Sequence, residues 1–386
     1  MIKKIKQILI FVVMFLTIAM YHPVLYQSGY FDRLRMVVMV LLVCLVPLTF
    51  SFNKCKQIPF SRNYLKTIIF SAFVVLLLFA VSYHISWSDV IQLTIVFLFI
   101  NIGIGADFNK NTFLLICTVY SISALVLGVL SINFYLGGFN LEESQFLIDG
   151  KNQIGVIVAV GGTISFFLSQ HLKGRIRFLY IAIALFIFIT LIVIRCRTAL
   201  VAFVVFVFIY VMRFWSKVEK SFFLLALLCF VILYFDPISD IVSSVLLKNE
   251  EVEDINAIST GRFQRNWQGL TYFTNHFFTG ELFEKSEIGL IHNYLLLRSV
   301  KYGIWVLPIV IAFMLFVVEI IKHLIKKTNT LMALGVYVLI IPFLCSLFEP
   351  NAPFGPGTVQ MMSYLLFGIF LGESLKKEGT ECVVKD

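Results

Sequence analysis

Between Phe178 and Ile194 the chain is apolar on every side, relieved only by Tyr180 and Thr190. A soluble amphipathic helix would keep a polar face, and a barrel strand would alternate with a period of two. This run does neither. It is one of many that are long enough to cross the ~30 Å of hydrocarbon in a bilayer. In that solvent each backbone amide must be paired within its own segment or in a closed barrel, so these runs are read as transmembrane helices. The balance of residue types agrees: 60% of the chain is hydrophobic and 14% is charged, where soluble domains carry about 25% charged residues.

The expected fold is an all-α integral membrane bundle of about twelve spans. They are placed near 5–21, 34–52, 67–83, 90–106, 112–136, 153–170, 178–194, 199–214, 221–236, 303–321, 330–348 and 358–373. In domain terms, 1–236 holds nine spans, 237–302 is one large external (periplasmic) loop with short helices, 303–375 holds three spans, and 376–386 is a cytoplasmic tail. Lys3, Lys4 and Lys6 before Ile8–Met20 resemble a secretory signal. No small-x-small cleavage site follows, and an uncleaved first helix fits better.

The loops alternate in charge. One set carries Lys54, Lys56, Arg62, Lys66, Lys110, Lys173, Arg175, Arg177, Arg213, Lys217, Lys220, Lys322, Lys326 and Lys327, and the two tails add further lysines. The other short loops hold only Arg33, Arg35, Lys151, Arg195 and Arg197. Positive-inside bias then places both termini in the cytoplasm, in a bacterial inner (plasma) membrane. The net charge of +9 is a basic fringe beside anionic lipid and gives no reason to invoke nucleic acid. Of seven cysteines only Cys196 is expected on the oxidising side, and no metal-binding Cys/His spacing occurs.

The outward segments hold the chemistry. Ser259 or Thr260 is placed to cap a helix carrying Arg262 and Arg265. Those two arginines, three apart, share a face near the positive end of the helix dipole, where an anion between them relieves repulsion. The plainer reading is two exposed arginines that splay apart. Arg195-Cys196-Arg197-Thr198 joins two spans with no real loop. It is either an interfacial anchor or a cation pair for phosphate, which guanidinium suits by its forked donors. His292-Asn293 precedes an apolar turn just outside the tenth span. The acidic run Glu250, Glu251, Glu253, Asp254 reads as a solvated face.

Taken in order, the Arg-Thr-Ala-Leu hairpin at 197–200, the outer loop with Gly261-Arg262 and Trp267, and His292-Asn293, then nine residues and Gly303, form a pattern. With Lys151-Asn152-Gln153-Ile154-Gly155 at the mouth of the sixth span, it resembles the O-antigen polymerase and O-antigen ligase superfamily. The motifs lie between Lys151 and Gly303; Val306 departs from the ligase pattern and favours polymerase.

The resemblance implies a GT-C-like glycosyltransferase architecture. It also implies metal-independent, cofactor-free joining of undecaprenyl-pyrophosphate-linked oligosaccharides at the outer face of the membrane. Membrane lipid and a chain-length regulator protein are the further partners implied. Arg195, Arg197, Arg262, Arg265 and Lys151 would bind the substrate. His292 is the expected general base, near its ordinary pKa of ~6.5, with Glu287 and Glu349 as the other catalytic candidates. A ligase is the neighbouring alternative. From other classes come a flippase or permease, which would place charged groups or helix breaks at mid-span, and a structural subunit, which leaves the arginines unexplained.

Overall fold

The computed structural model describes residues 2–49, 64–82, 87–106, 108–136, 151–233, 239, 259, 261–355 and 360–383. The acidic run from Glu250 to Asp254, Thr260 and the Lys151 side chain lie outside the described residues. Among those described, every regular element is helical and none is a strand.

In chain order the helices are α1 (Ile2–Ala19), α2 (Pro23–Gln27), α3 (Tyr30–Thr49), α4 (Tyr64–Val81), α5 (Trp87–Gly105), α6 (Lys110–Leu136), α7 (Lys151–His171) and α8 (Arg175–Val193). They continue as α9 (Arg197–Phe214), α10 (Lys217–Leu233), α11 (Arg262–Asn275), α12 (Tyr294–Tyr302), α13 (Leu307–Ile325), α14 (Leu334–Tyr337), α15 (Ile340–Cys345) and α16 (Met361–Val383). Among the described residues, six stretches are long and apolar enough to cross a membrane: Ser88–Gly105, Lys110–Phe134, Asn152–His171, Arg175–Val193, Arg197–Phe214 and Tyr294–Ile325. Leu65–Val81, Leu331–Cys345 and Met361–Ser374 are apolar but shorter.

With lipid outside, helix association rests on close packing rather than on a polar exterior. Small residues supply it. A Cβ added at Gly103 on α5 would lie 2.8 Å from the Cα of Gly368 on α16, so the two backbones touch there. Gly161 and Gly162 do the same for α7, the most enclosed of the long helices, against Ala124 and Ile187. Outward side chains such as Phe178, Leu185 and Phe222 are left exposed, as a lipid-facing surface requires.

One expectation is corrected. The eleventh span is not one helix: a 3-10 turn (Leu331–Ala333), α14 and α15 are separated by a turn at Val338 and Leu339. Pro342 accounts for the break, since it has no N–H to donate to the Val338 carbonyl and its ring crowds that position. Before the tenth span, α12 and a 3-10 turn (Gly303–Val306) lead into α13, with the chain turning at Gly303 (φ +56°).

Two groups of hydrogen bonds between distant segments lie at opposite ends of α7 and α9. At one, His171 Nε2 meets the Asn329 carbonyl (3.4 Å), Tyr210 donates to Asn329 Oδ1 (3.0 Å), and Arg213 donates to the Leu324 and Ile325 carbonyls (2.6 Å each). At the other, Asn152 and Thr198 meet Glu349, Ser82 meets Leu282, and Tyr294 N–H donates to Ser346 O (3.0 Å). The segments near His171, Arg213 and Asn329 thus share one end, and those near Asn152, Thr198 and Glu349 share the other.

Candidate functional site

The site grows from two glycines. At Gly155, one turn into α7, an added Cβ would lie 2.8 Å from Cys196 Cβ and 3.2 Å from Ala199 Cβ. The α8–α9 hairpin can press against α7 only because that side chain is missing. The hairpin is as tight as its sequence suggests: α8 ends at Val193, Arg195 turns the chain at φ +53°, and α9 begins at Arg197. A left-handed residue with a side chain costs ~1–2 kcal/mol. At the second glycine, Gly303, φ is +56°, and Ile304 N–H donates to Phe277 O at 2.7 Å. This is where the outer helix α12 stops and its loop folds back.

Asn152, three residues before Gly155, donates to Glu349 Oε2 at 3.1 Å. Thr198 in the first turn of α9 donates to Oε1 at 3.4 Å, and Arg262 Nη1 lies at the same distance from Oε1. Arg262 also donates to the Phe348 carbonyl at 3.0 Å. Glu349 thus ties α7, α9 and α11 together. Burial lifts its carboxyl above the usual carboxylate range, and the contacts from Arg262, Thr198 and Asn152 offset this only in part.

Helix α11 begins as expected, with the Ser259 hydroxyl accepting the Phe263 N–H at 3.3 Å, while Gly261 at φ +72° occupies the N-cap position. Arg262 is close enough to Arg197 for the two charges to repel, and Arg262 and Arg265 both act on His292. Burial first, then those two guanidiniums, lower the His292 pKa to about 4. Its backbone N–H donates to Asn266 Oδ1 at 3.2 Å, and its Nδ1 is buried with no hydrogen-bond partner among the described residues. Asn293 caps α12 by accepting the Leu296 N–H at 3.0 Å and reaches the Leu347 carbonyl at 3.3 Å.

The structure therefore brings Arg197, Arg262, Arg265, His292 and Glu349 together, with Arg195 at the hairpin apex. Glu287 is exposed, and among the described residues it joins no ion pair with this group. Lys151 is the first residue of α7.

Beside Glu349 is a small polar pocket lined by Asn152, Gln153, Asn351 and Gln360 as well as Val156, Ala352 and Gly355. Gln360 is 2% exposed, and its Oε1 has no hydrogen-bond partner among the described residues. A buried acceptor left open in this way calls for a donor.

Behind the pocket lies a buried ionic cluster that sequence reasoning missed. Arg298 Nη2 lies 3.0 Å from Asp89 Oδ1, Lys301 Nζ lies 3.5 Å from Oδ2, and the Tyr302 hydroxyl donates to the same carboxylate. Arg298 also sits over the Tyr294 ring at 4.8 Å and donates to Gln92 Oε1 at 3.5 Å. Gln92 in turn abuts Gly355 of the pocket wall. The signal available was a pair of cations, Arg298 and Lys301, inside an otherwise apolar stretch, a placement that demands a partner.

No protein-family model matches the chain, and no curated protein matches it.

Proposed function

We propose that this protein is a membrane glycosyltransferase that polymerises oligosaccharide repeat units carried on undecaprenyl pyrophosphate, at the outer face of a bacterial inner membrane. The proposal includes about twelve spans in a GT-C-like arrangement, cytoplasmic termini, and a chain-length regulator protein as a further partner. The polymer is an O-antigen, capsule or related surface polysaccharide.

One observation carries the reading: guanidinium groups from two separate segments, Arg197 and Arg262, lie close enough to repel, and Arg262 and Thr198, the neighbour of Arg197, share one oxygen of the largely buried Glu349 carboxylate. Like charges brought together from different helices favour a polyanion between them. A pyrophosphate on a lipid carrier supplies that charge at the membrane surface. Burial, reinforced by Arg262 and Arg265, favours an uncharged His292, which offers a neutral hydrogen-bonding group.

The chemistry then balances with the groups present. An acceptor hydroxyl attacks the anomeric carbon of the donor sugar as the bond from that carbon to the phosphate oxygen breaks. The electron pair leaves with the carrier pyrophosphate, whose growing charge the arginines stabilise. The hydroxyl proton passes to a base. Its pKa raised toward the working pH, Glu349 suits that role better than His292 at about 4. The open Gln360 acceptor in the adjoining pocket is placed to orient a sugar hydroxyl. No step in this scheme calls for a metal or a cofactor.

A lipid-linked sugar flippase is the second reading, favoured by the break between α14 and α15 and by the buried Glu319–His323 pair of α13 (3.5 Å). That pair lies at the end of the bundle away from the arginines, beside Lys322 (3.5 Å from Glu319), so it does not form a mid-span substrate site. The glycan profile of a deletion strain tests the readings. Single repeats attached where long chains should be indicate a polymerase. Polymer left on its carrier indicates a ligase, and repeat units trapped in the cytoplasm indicate a flippase.

A further inference from the structure

Helix α11 has three faces rather than two. Arg262, Gly269 and Tyr272 turn toward the protein, and a Cβ added at Gly269 would lie 2.7 Å from Ile291 Cδ1 and 3.6 Å from Leu296 Cδ2. Gln264, Gln268, Thr271 and Asn275 form an exposed polar stripe. Phe263, Trp267 and Leu270, spaced i, i+4, i+7, form an exposed apolar one, with Trp267 64% exposed. At ~100° per residue the three stripes occupy separate sectors of the helix. A helix wedged between water and protein has no use for the third face. A helix lying where protein, water and lipid meet needs all three.

The following loop fixes the depth. Phe277 O accepts the Ile304 N–H at 2.7 Å, which puts Phe278 (74% exposed) level with the lipid-facing Trp305 at the start of the α13 span. Leu282 O accepts the Ser82 hydroxyl at 2.5 Å, which puts Phe283 (72% exposed) level with Val81 at the end of α4. Both aromatic residues sit where a membrane-crossing or apolar helix ends, the level that tryptophan and other aromatic side chains favour at a bilayer surface.

We propose that α11 and its loop lie in the interfacial layer of the leaflet on the arginine side, with Phe263, Trp267, Leu270, Phe278 and Phe283 in the acyl boundary. Arg262 and Arg265, on the adjoining protein-facing side of α11, are thereby held at headgroup depth. The site then selects anions anchored in the bilayer over those free in water. This stands whether or not the glycosyl-transfer reading holds.

The test uses the full chain in bilayers of brominated phospholipid, with bromines near the headgroup end of the acyl chains. Trp87, Trp215 and Trp305 are replaced by Phe so that Trp267 alone emits, and a companion protein keeps only Trp305. Brominated lipid should quench Trp267 as fully as it quenches Trp305, and aqueous iodide should leave it bright. Quenching by iodide without quenching by lipid overturns the proposal. So does protection from both, which would mean that protein covers the stripe. The unmodified chain gives an independent reading: a phospholipid carrying a photoreactive group near its headgroup should label the segment 263–283, and absence of label there with label on α13 also overturns the proposal.

Discussion

Arg262 Nη1 lies 3.0 Å from the Phe348 carbonyl and 3.4 Å from Glu349 Oε1, so the first residue of α11 is bonded to the turn that follows the apolar α14–α15 segment. The contact engages Nη1 of the fork, and the guanidinium charge is felt at both Arg197 and His292.

If that guanidinium grips the carrier pyrophosphate, Arg262→Ala should weaken binding of the lipid-linked donor about 10- to 100-fold, the worth of a charge-assisted hydrogen bond. Arg262→Lys should recover little, since an ammonium cannot form the paired bonds of the fork. Donor binding by detergent-solubilised protein measures this directly. Arg197→Ala should behave alike. Full polymer from either variant at wild-type protein level would make that arginine an interfacial anchor.

Much of the fold was legible because lipid imposes a simple rule: a run such as Phe178–Ile194 reads as a helix, and the described regular elements are all helical, six of them long and apolar enough to cross a membrane. The break at Val338 and Leu339 was also written in the sequence, as Pro342, but an all-apolar background hides it. The site was partly legible. Arg197, Arg262 and His292 stood out because charge near a membrane edge is costly. The Glu349 contacts with Asn152 and Thr198, and the Asp89 contact with Arg298, join segments far apart in the chain, and only the packing at Gly155 and Gly303 reveals them.

The Asp89 cluster makes a stability prediction. Asp89→Asn leaves Arg298 and Lys301 buried without their countercharge and should cost about 3–5 kcal/mol. Replacing all three together, Asp89→Leu with Arg298→Met and Lys301→Met, should recover most of that loss, because none of the desolvated charges remains. Thermal unfolding in detergent reports both. An Asp89→Asn protein as stable as wild type would show that water reaches these cations.

The pH dependence separates the two candidate bases. A base works only when deprotonated, so activity falls as pH drops through its pKa. With Glu349 as base the acid limb lies above the ordinary carboxylate value of 4.5; with His292 it lies near 4. His292→Gln should leave the limb in place. It should also flatten a stability slope: the unfolded chain protonates His292 near ~6.5 and the folded chain only at about 4. Stability therefore falls as pH drops through that window. A limb that shifts in His292→Gln would return the base role to histidine.

Sidedness is tested without reference to activity. Single cysteines at Ser259, Gly174 and Ser216, in a background lacking Cys196, should react with an impermeant maleimide in intact cells at Ser259 alone. Labelling at Gly174 would invert the bundle and remove the site from the outer face.

Purified Glu349→Gln protein tests the central claim most directly, supplied with lipid-pyrophosphate-linked repeat units and scored separately for donor binding and chain length. The amide keeps the shape of the carboxylate but cannot take the proton, so elongation should fall by ~10² to 10⁴, the usual worth of general-base help. Donor binding, which rests on the arginines, should persist, and a chelator should leave wild-type elongation unchanged. Normal chain lengths from Glu349→Gln, or wild-type elongation abolished by the chelator, would contradict the account.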